Sequence, residues 1–288
     1  MNNSWGALTM RIPASLEEPL LEVLSHDALG SETRFDSPER CELRLYFADV
    51  AAAAARLPEG HAALRSHGLD PASARMRVLE VPDGRWAERW QESLRPFPLG
   101  RQFDVHPSGR PAEEREGRIP ILLVPGRAFG TGEHGTTRLA VEALERHVTP
   151  GSRWLDLGTG TGLLALVARH LGAGTVVARD NDPEAVEVAR EVLDANGATG
   201  TIRLELGSMD GLPAAGFDGV VANIVAPFFL EHAGAVVALL RPEGILLATG
   251  LLQEEAPAVS ACLARAGLPV ESRHDAPPWC LLAGRRPV

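Results

Sequence analysis

Lysine is absent from this 288-residue sequence, and all 28 basic residues are arginine. The chain therefore has no internal side-chain amine. Alanine, glycine, proline and arginine are all abundant, which points to GC-rich coding as the origin of the bias. Cysteine is scarce as well. Cys41, Cys262 and Cys280 are odd in number, scattered and without a CxxC pair, which excludes a disulfide or zinc framework and predicts reduced thiols. The nine histidines show no HExxH or comparable ligand spacing, so no metal site is expected. Positive charge is in deficit: the formal net charge is −10. That excludes a general polyanion binder, predicts no stable grip on nucleic acid and suits a basic partner. No stretch approaches the roughly 20 apolar residues that span a bilayer. The opening "MNNSWGALTMRIP" lacks both the basic segment and the apolar run of a secretory signal, and a cytoplasmic protein is expected.

What is present is the composition of a globular protein, 45% hydrophobic and 23% charged, long enough for two domains. "WGALTMRIP" and "RCELRLYFA" alternate like half-buried strands, and "MRVLEV" reads as a third. "SLEEPLLEVL" carries a capping-box spacing, Ser15 to Glu18, ahead of apolar residues at helical intervals. A strand near 30–36 and a helix in the alanine run after Asp49 complete the order strand, helix, strand, strand, helix, strand. Residues 1–84 are thus expected to form a small α+β domain of the split βαβ, ferredoxin-like type. "GRWAERWQESLRPFP" reads as a linker helix over 85–98 that ends at Pro96 and Pro98, with Trp86 and Trp90 on one packing face.

From residue 99 to 288 the pattern changes. Two strand-like segments, "LGRQFDVHP" and "RIPILLVPG", lead to the loop "RAFGTGEHGTT" and a helix through about 147. Strands and helices then alternate, which predicts a doubly wound, Rossmann-like parallel sheet. The final two strands have no helix between them and are expected as an antiparallel hairpin at one edge.

The candidate site begins at "RWLDLGTGTGLLALVARH", where a strand enters three glycines at alternate positions and then a helix. Gly158, Gly160 and Gly162 fall at the carboxyl end of the first strand, where open parallel sheets hold their ligands. The pattern is D-x-G-x-G-x-G, not the GxGxxG of dinucleotide sites, which speaks against hydride transfer. Asp156 is poorly suited to pyrophosphate but suits a cationic amine or sulfonium. Asp180, 22 residues beyond Gly158 at the end of the next strand, stands near the distance at which an acid reaches ribose hydroxyls. Its neighbour Asp182, just before Pro183, is the better helix cap. Together these features point to S-adenosylmethionine, not a nicotinamide cofactor. Asn223 closes the strand "FDGVVAN", where its amide oxygen and nearby carbonyls are placed to accept hydrogens from an incoming amine; the alternative is an ordinary turn residue.

"PGRAFGTGEHGTT", "WLDLGTGTGLLAL", "RDNDP" and "VVANIVAPFF", in this order and spacing, resemble the bacterial PrmA methyltransferases. The resemblance runs over essentially the whole chain and implies a class I S-adenosylmethionine-dependent methyltransferase that trimethylates lysine and N-terminal amino groups on protein eleven of the large ribosomal subunit. It implies cofactor-binding roles for Thr137, Gly158, Asp180 and Asn223, and a loop of Phe129, Gly130, Thr131 and Gly132 closing over the methionine end. Asn223 would orient the amine. His134 stands either as a base or as a structural hydrogen-bonding residue. The sequence departs from the family pattern at Glu133, Gly135 and Arg179. A monomer acting on a basic ribosomal protein is expected. Two alternatives stay open: another amine- or amide-directed methyltransferase, although "NIVAP" lacks the Asn-Pro-Pro-aromatic of amide and adenine methylases, or a non-catalytic, cofactor-binding ribosome assembly factor.

Overall fold

A computed structural model describes residues 4–25, 28, 30–37, 39–82, 96–107, 117–123 and 134–288. The chain divides into two compact units, Met1–Leu94 and Arg95–Val288.

In the first unit four strands, β1 (Ser4–Pro13), β2 (Gly30–Ser37), β3 (Arg40–Phe47) and β4 (Arg77–Pro82), form one antiparallel sheet in the order β2-β3-β1-β4. This is the expected split βαβ topology. Period-two burial sends Leu8, Met10 and Ile12 of β1 and Cys41, Leu43, Leu45 and Phe47 of β3 into one core. The helices α1 (Glu17–Leu24) and α3 (Leu57–Ser66) close it with Leu20, Leu24, Ala63 and Leu64. Between β3 and α3, Asp49 caps the short helix α2 (Val50–Ala55) by accepting from the Ala52 amide at 2.8 Å. The capping box expected at Ser15 does not form. Pro13 leads directly into a 3-10 turn over Ala14–Leu16, so Ser15 lies inside the turn instead of in the extended conformation a cap requires, and α1 begins without a side-chain cap.

The second unit starts with a three-stranded sheet, β5 (Phe97–Leu99), β6 (Phe103–Pro107) and β7 (Ile119–Leu123), in that order. Most of the expected linker helix, with Trp86 and Trp90, lies outside the described residues, but its last positions, Phe97 and Pro98, are strand. Pro98 is tolerated there because β5 is an edge strand. "LGRQFDVHP" is also not one strand: Gly100 turns at φ +58°, and the Glu145 carboxylate accepts from the Arg101 and Gln102 amides at 2.8 Å to fold a hairpin.

The main sheet comprises β8 (Arg153–Leu157), β9 (Thr175–Asp180), β10 (Ile202–Leu206), β11 (Phe217–Asn223), β12 (Leu240–Leu252), β13 (Val270–Ala276) and β14 (Trp279–Arg285). Its order is β10-β9-β8-β11-β12-β14-β13, parallel through β12, with β14 antiparallel to both neighbours. The expected terminal hairpin is present. Helices α4 (Gly135–His147), α5 (Leu163–His170) and α6 (Pro183–Ala195) share a core with Trp154, while α7 (Ala226–Leu239) and α8 (Ala256–Arg265) share another with Leu155. Alternation along β8 thus supplies both faces. Among the described residues no helix is long and apolar enough to cross a membrane.

One contact makes a glycine obligatory in the sheet centre. Gly219 lies opposite Trp154 in the register, and a Cβ there would sit 2.4 Å from the indole Cη2. The indole is held by burial and by its N–H donating to Ser152 Oγ at 3.1 Å. Gly219→Ala is expected to lower stability by about 1–3 kcal/mol through overpacking. A urea unfolding midpoint equal to wild type would show that the indole moves aside without cost.

Candidate cofactor-binding and active site

The sheet order reverses at β8, whose parallel neighbours are β9 and β11. The three strands end at the glycine turn, at Asp180 and at Asn223, so the sequence-selected residues meet at one topological switch point.

The turn is built as its composition demands. Gly158, Gly160 and Gly162 have φ of +70°, +52° and +79°, a region that side chains disfavour. At Gly158 a Cβ would also fall 2.9 Å from Ile224 Cδ1. The Gly158 and Thr159 amides donate to the Arg179 carbonyl at 2.8 and 2.9 Å, and the Gly160 amide donates to Asp180 Oδ2 at 2.9 Å. Asp156 holds the turn from inside: its Oδ2 accepts from the Thr159 hydroxyl at 2.6 Å and from the Ala165 amide at 3.0 Å. Its other oxygen, Oδ1, is buried without a partner among the described residues.

Asp180 accepts with Oδ1 from the Asp182 amide at 3.0 Å. Each of its oxygens therefore takes one backbone hydrogen, with lone-pair capacity left over. Asp182 is the cap of α6, accepting from the Glu184 amide at 2.9 Å. Asn223 lies opposite Thr249, and the next amide, Ile224, donates to the Thr249 carbonyl at 3.0 Å. Among the described residues the Asn223 Oδ1 is buried without a partner, as is Thr137 Oγ1 near the start of α4.

His134 caps α4. Its Nδ1 lies 2.6 Å from Thr136 Oγ1 and 3.3 Å from the Thr136 amide, and its ring meets the Trp279 indole edge-on at 5.0 Å. Burial pushes its pKa down to about 4. The ring is neutral at physiological pH and too weakly basic to deprotonate an ammonium efficiently. Gly135 provides the space this packing needs, since a Cβ there would lie 3.1 Å from Trp279 Cδ1. Phe129, Gly130, Thr131, Gly132 and Glu133 lie outside the described residues.

Two contributors escaped the sequence reading. Gly250, with φ +84°, lets the Ile224 backbone lie where a Cβ would come within 2.7 Å of its carbonyl oxygen, which seats the segment after Asn223. Its only signal was a glycine closing the apolar run "ILLAT". Thr159, between two glycines, gave no sign that its hydroxyl serves Asp156.

The sequence profile described as "Ribosomal protein L11 methyltransferase (PrmA)" matches residues 16–287. The chain belongs to this family. It is 39% identical over 242 residues to the ribosomal protein L11 methyltransferase of Symbiobacterium thermophilum, covering 83% of this chain and 78% of that protein. To the protein of the same name from Synechococcus sp. it is 36% identical, covering 98% of this chain and 97% of the relative. The crystal structure of the ribosomal protein L11 methylase from Lactobacillus delbrueckii subsp. bulgaricus superposes with a TM-score of 0.62 at 28% identity, covering 68% of this chain and 99% of that one. The fold is the class I methyltransferase fold, with a separate small N-terminal sheet domain.

Asp156 makes the site pH-sensitive. Burial raises its pKa from 3.8 to about 7; Asp180 adds to the rise, while the bonds from Thr159 and Ala165 oppose it. A folded-state value above the unfolded one means that folding holds the proton. That contribution to stability is complete below about pH 4 and is lost as pH rises through 7, with a slope approaching 1.4 kcal/mol per unit. In cofactor-free protein, Asp156→Asn is expected to flatten this slope in urea unfolding across that window. A slope identical to wild type would assign the proton to another group.

Proposed function

We propose that this chain methylates amino groups of ribosomal protein L11, on lysine side chains and at the N-terminus and up to the trimethyl state, with S-adenosylmethionine as donor. The observation that carries the reading is the convergence at β8, β9 and β11 of three kinds of acceptor. They are the orphaned Asp156 Oδ1, the Asp180 carboxylate with spare lone pairs and the orphaned Asn223 Oδ1. A buried acceptor without a partner is costly, and a ligand carrying an ammonium and hydroxyl donors removes that cost. Thr137 Oγ1 is a third buried polar atom with no partner among the described residues. When bound, S-adenosylmethionine supplies an activated methyl group on a sulfonium leaving group, so the chain itself needs no nucleophile.

The protein's share is binding and orientation. Asp180 takes the ribose hydroxyls, and the glycine turn brings backbone close to the ligand without side chains in the way. Asn223 Oδ1 accepts a hydrogen from the attacking amine and fixes its direction. A free lysine is mostly ammonium at neutral pH, with a pKa near 10.4. Desolvation beside a cationic donor favours the neutral amine, so no dedicated base is required and His134 serves as a helix cap. An active methyltransferase fits these acceptors better than a cofactor-sensing assembly factor, which needs no orphaned Asn223 oxygen beside the donor.

Residues 1–84 carry 8 arginines against 13 acids, a net of −5. That balance suits recognition of a basic ribosomal protein and disfavours contact with RNA phosphates.

Asp180→Ala is expected to weaken S-adenosylmethionine binding by one to two orders of magnitude, since charge-assisted bonds are worth roughly 1.5–3 kcal/mol each. Unchanged affinity in calorimetry removes Asp180 from the site. Asn223→Ala is expected to lower kcat more than it weakens cofactor binding; the reverse pattern would make Asn223 a cofactor residue only. A chain beginning near residue 85 is expected to keep cofactor binding and lose methylation of L11. Mass spectra of L11 after incubation read both the modified amines and their degree, and full activity of the shortened chain would refute the division of labour.

A further inference from the structure

Arg179 is a charged residue closing an otherwise apolar strand, "TVVAR", and its side chain is only 13% exposed. Neither the orphaned acceptors nor the glycine turn accounts for it. Its partners lie on β10 and the segment that follows. Nε donates to Glu205 Oε2 at 3.0 Å, and the two residues are direct neighbours in the β9–β10 register. Nη1 donates to two backbone carbonyls, Ser208 at 2.7 Å and Asp210 at 2.6 Å. Glu205 also pairs with the exposed Arg203.

The same residue reaches the other way through its main chain. Its carbonyl accepts both the Gly158 and Thr159 amides, and the carbonyl of the adjacent Asp180 accepts from the Gly207 amide at 2.7 Å. Gly207, at φ +144°, is where the chain leaves β10 and bends under the guanidinium. One dipeptide, Arg179-Asp180, thus ties together the glycine turn, the ribose-directed carboxylate and the 207–210 segment.

We propose that Arg179 is a positioning residue that pre-orders Gly207–Asp210 as the wall on the nucleoside side of the cofactor site. It thereby sets affinity for the adenosine part of the ligand without acting on methyl transfer. The proposal rests on the reading that S-adenosylmethionine binds at Asp180. Two carbonyls are held by one cation before the ligand arrives, so their ordering is not charged against binding. A planar guanidinium serves a carboxylate and two carbonyls at once, which no apolar side chain at this position can do.

The test compares wild type, Arg179→Met and Glu205→Gln, by calorimetry with S-adenosylmethionine and with 5′-methylthioadenosine, which keeps the nucleoside and lacks the amino-acid part. Loss of the clamp in Arg179→Met is expected to raise the Kd of both ligands by about tenfold and by the same factor, the scale of one or two charge-assisted bonds. KM for the cofactor rises with it, while kcat at saturating cofactor falls far less. Glu205→Gln, which leaves the carbonyl bonds in place, gives a smaller loss in the same direction. Unchanged affinity for both ligands in Arg179→Met overturns the proposal, as does a fall in kcat matching the rise in KM together with a large drop in Tm, the mark of general loosening. Should Arg179→Met fail to fold, unchanged affinity in Glu205→Gln overturns it. Wild type that binds neither ligand removes the cofactor reading and this role with it. Wild type that binds both beside an unaffected Arg179→Met removes this role alone.

Discussion

The buried Asp156 carboxylate is the constraint on which the site depends. One of its oxygens joins the Thr159 hydroxyl to the Ala165 amide, fixing the passage from β8 through three left-handed glycines into α5. The arrangement comes at an electrostatic cost. An ionised carboxylate with one oxygen unpartnered and surrounded by protein is unfavourable, and its pKa is raised accordingly to about 7. A structural carboxylate would be expected to have both oxygens satisfied. The half-satisfied state leaves Oδ1 as an acceptor for which no described residue supplies a donor, and that is the premise of the ligand role proposed for Asp156.

Around that point the backbone is brought together at positions where glycine is the residue that fits. Gly158 gives way to Ile224, Gly250 to the Ile224 backbone and Gly219 to the Trp154 indole. These contacts lie within adjacent strands of one sheet or just past their ends, so the core that buries Trp154 also sets the spacing of the strand ends that bear Asp180 and Asn223. Stability and site geometry share the same contacts. A change in the sheet centre is therefore expected to be felt at the strand ends.

The legible part of the sequence was the part encoded in period and spacing. Alternating strands and helices after residue 150, the glycines beside Asp156 and the acid at Asp180 all follow from local rules, and the sheet assembles them as those rules require. Illegible features were those that depend on tertiary partners. Ser15 matched a capping pattern, but Pro13 committed the chain to a 3-10 turn first. Phe97 and Pro98 matched a helix end, yet pair with β6 at a sheet edge. His134 permitted two readings in sequence, and its contacts with Thr136 and Trp279 favour the structural one. The partner 145 residues along the chain at Trp279 has no local signature.

The absence of lysine gains a physical consequence from the same contacts. Arginine here does more than carry charge: several guanidiniums staple loops through backbone carbonyls. Arg118 donates to the carbonyls of Arg101 and Gly100 at 2.7 and 3.2 Å while pairing with Asp104 at 2.6 Å. Arg285 donates to the Glu243 carbonyl at 2.7 Å, and Arg286 to that of Leu240 at 2.5 Å. Arg179 serves a carboxylate and two carbonyls at once. Each multiple clamp uses the fixed fork of a guanidinium, which a single ammonium cannot reproduce. Whatever coding bias removed lysine, the fold has come to use geometry that only arginine offers, and reintroducing lysine at Arg118 or Arg179 would leave carbonyls unserved. The enzyme that acts on amines thus holds its own loops with a cation that is not an amine and is not a substrate for the same chemistry.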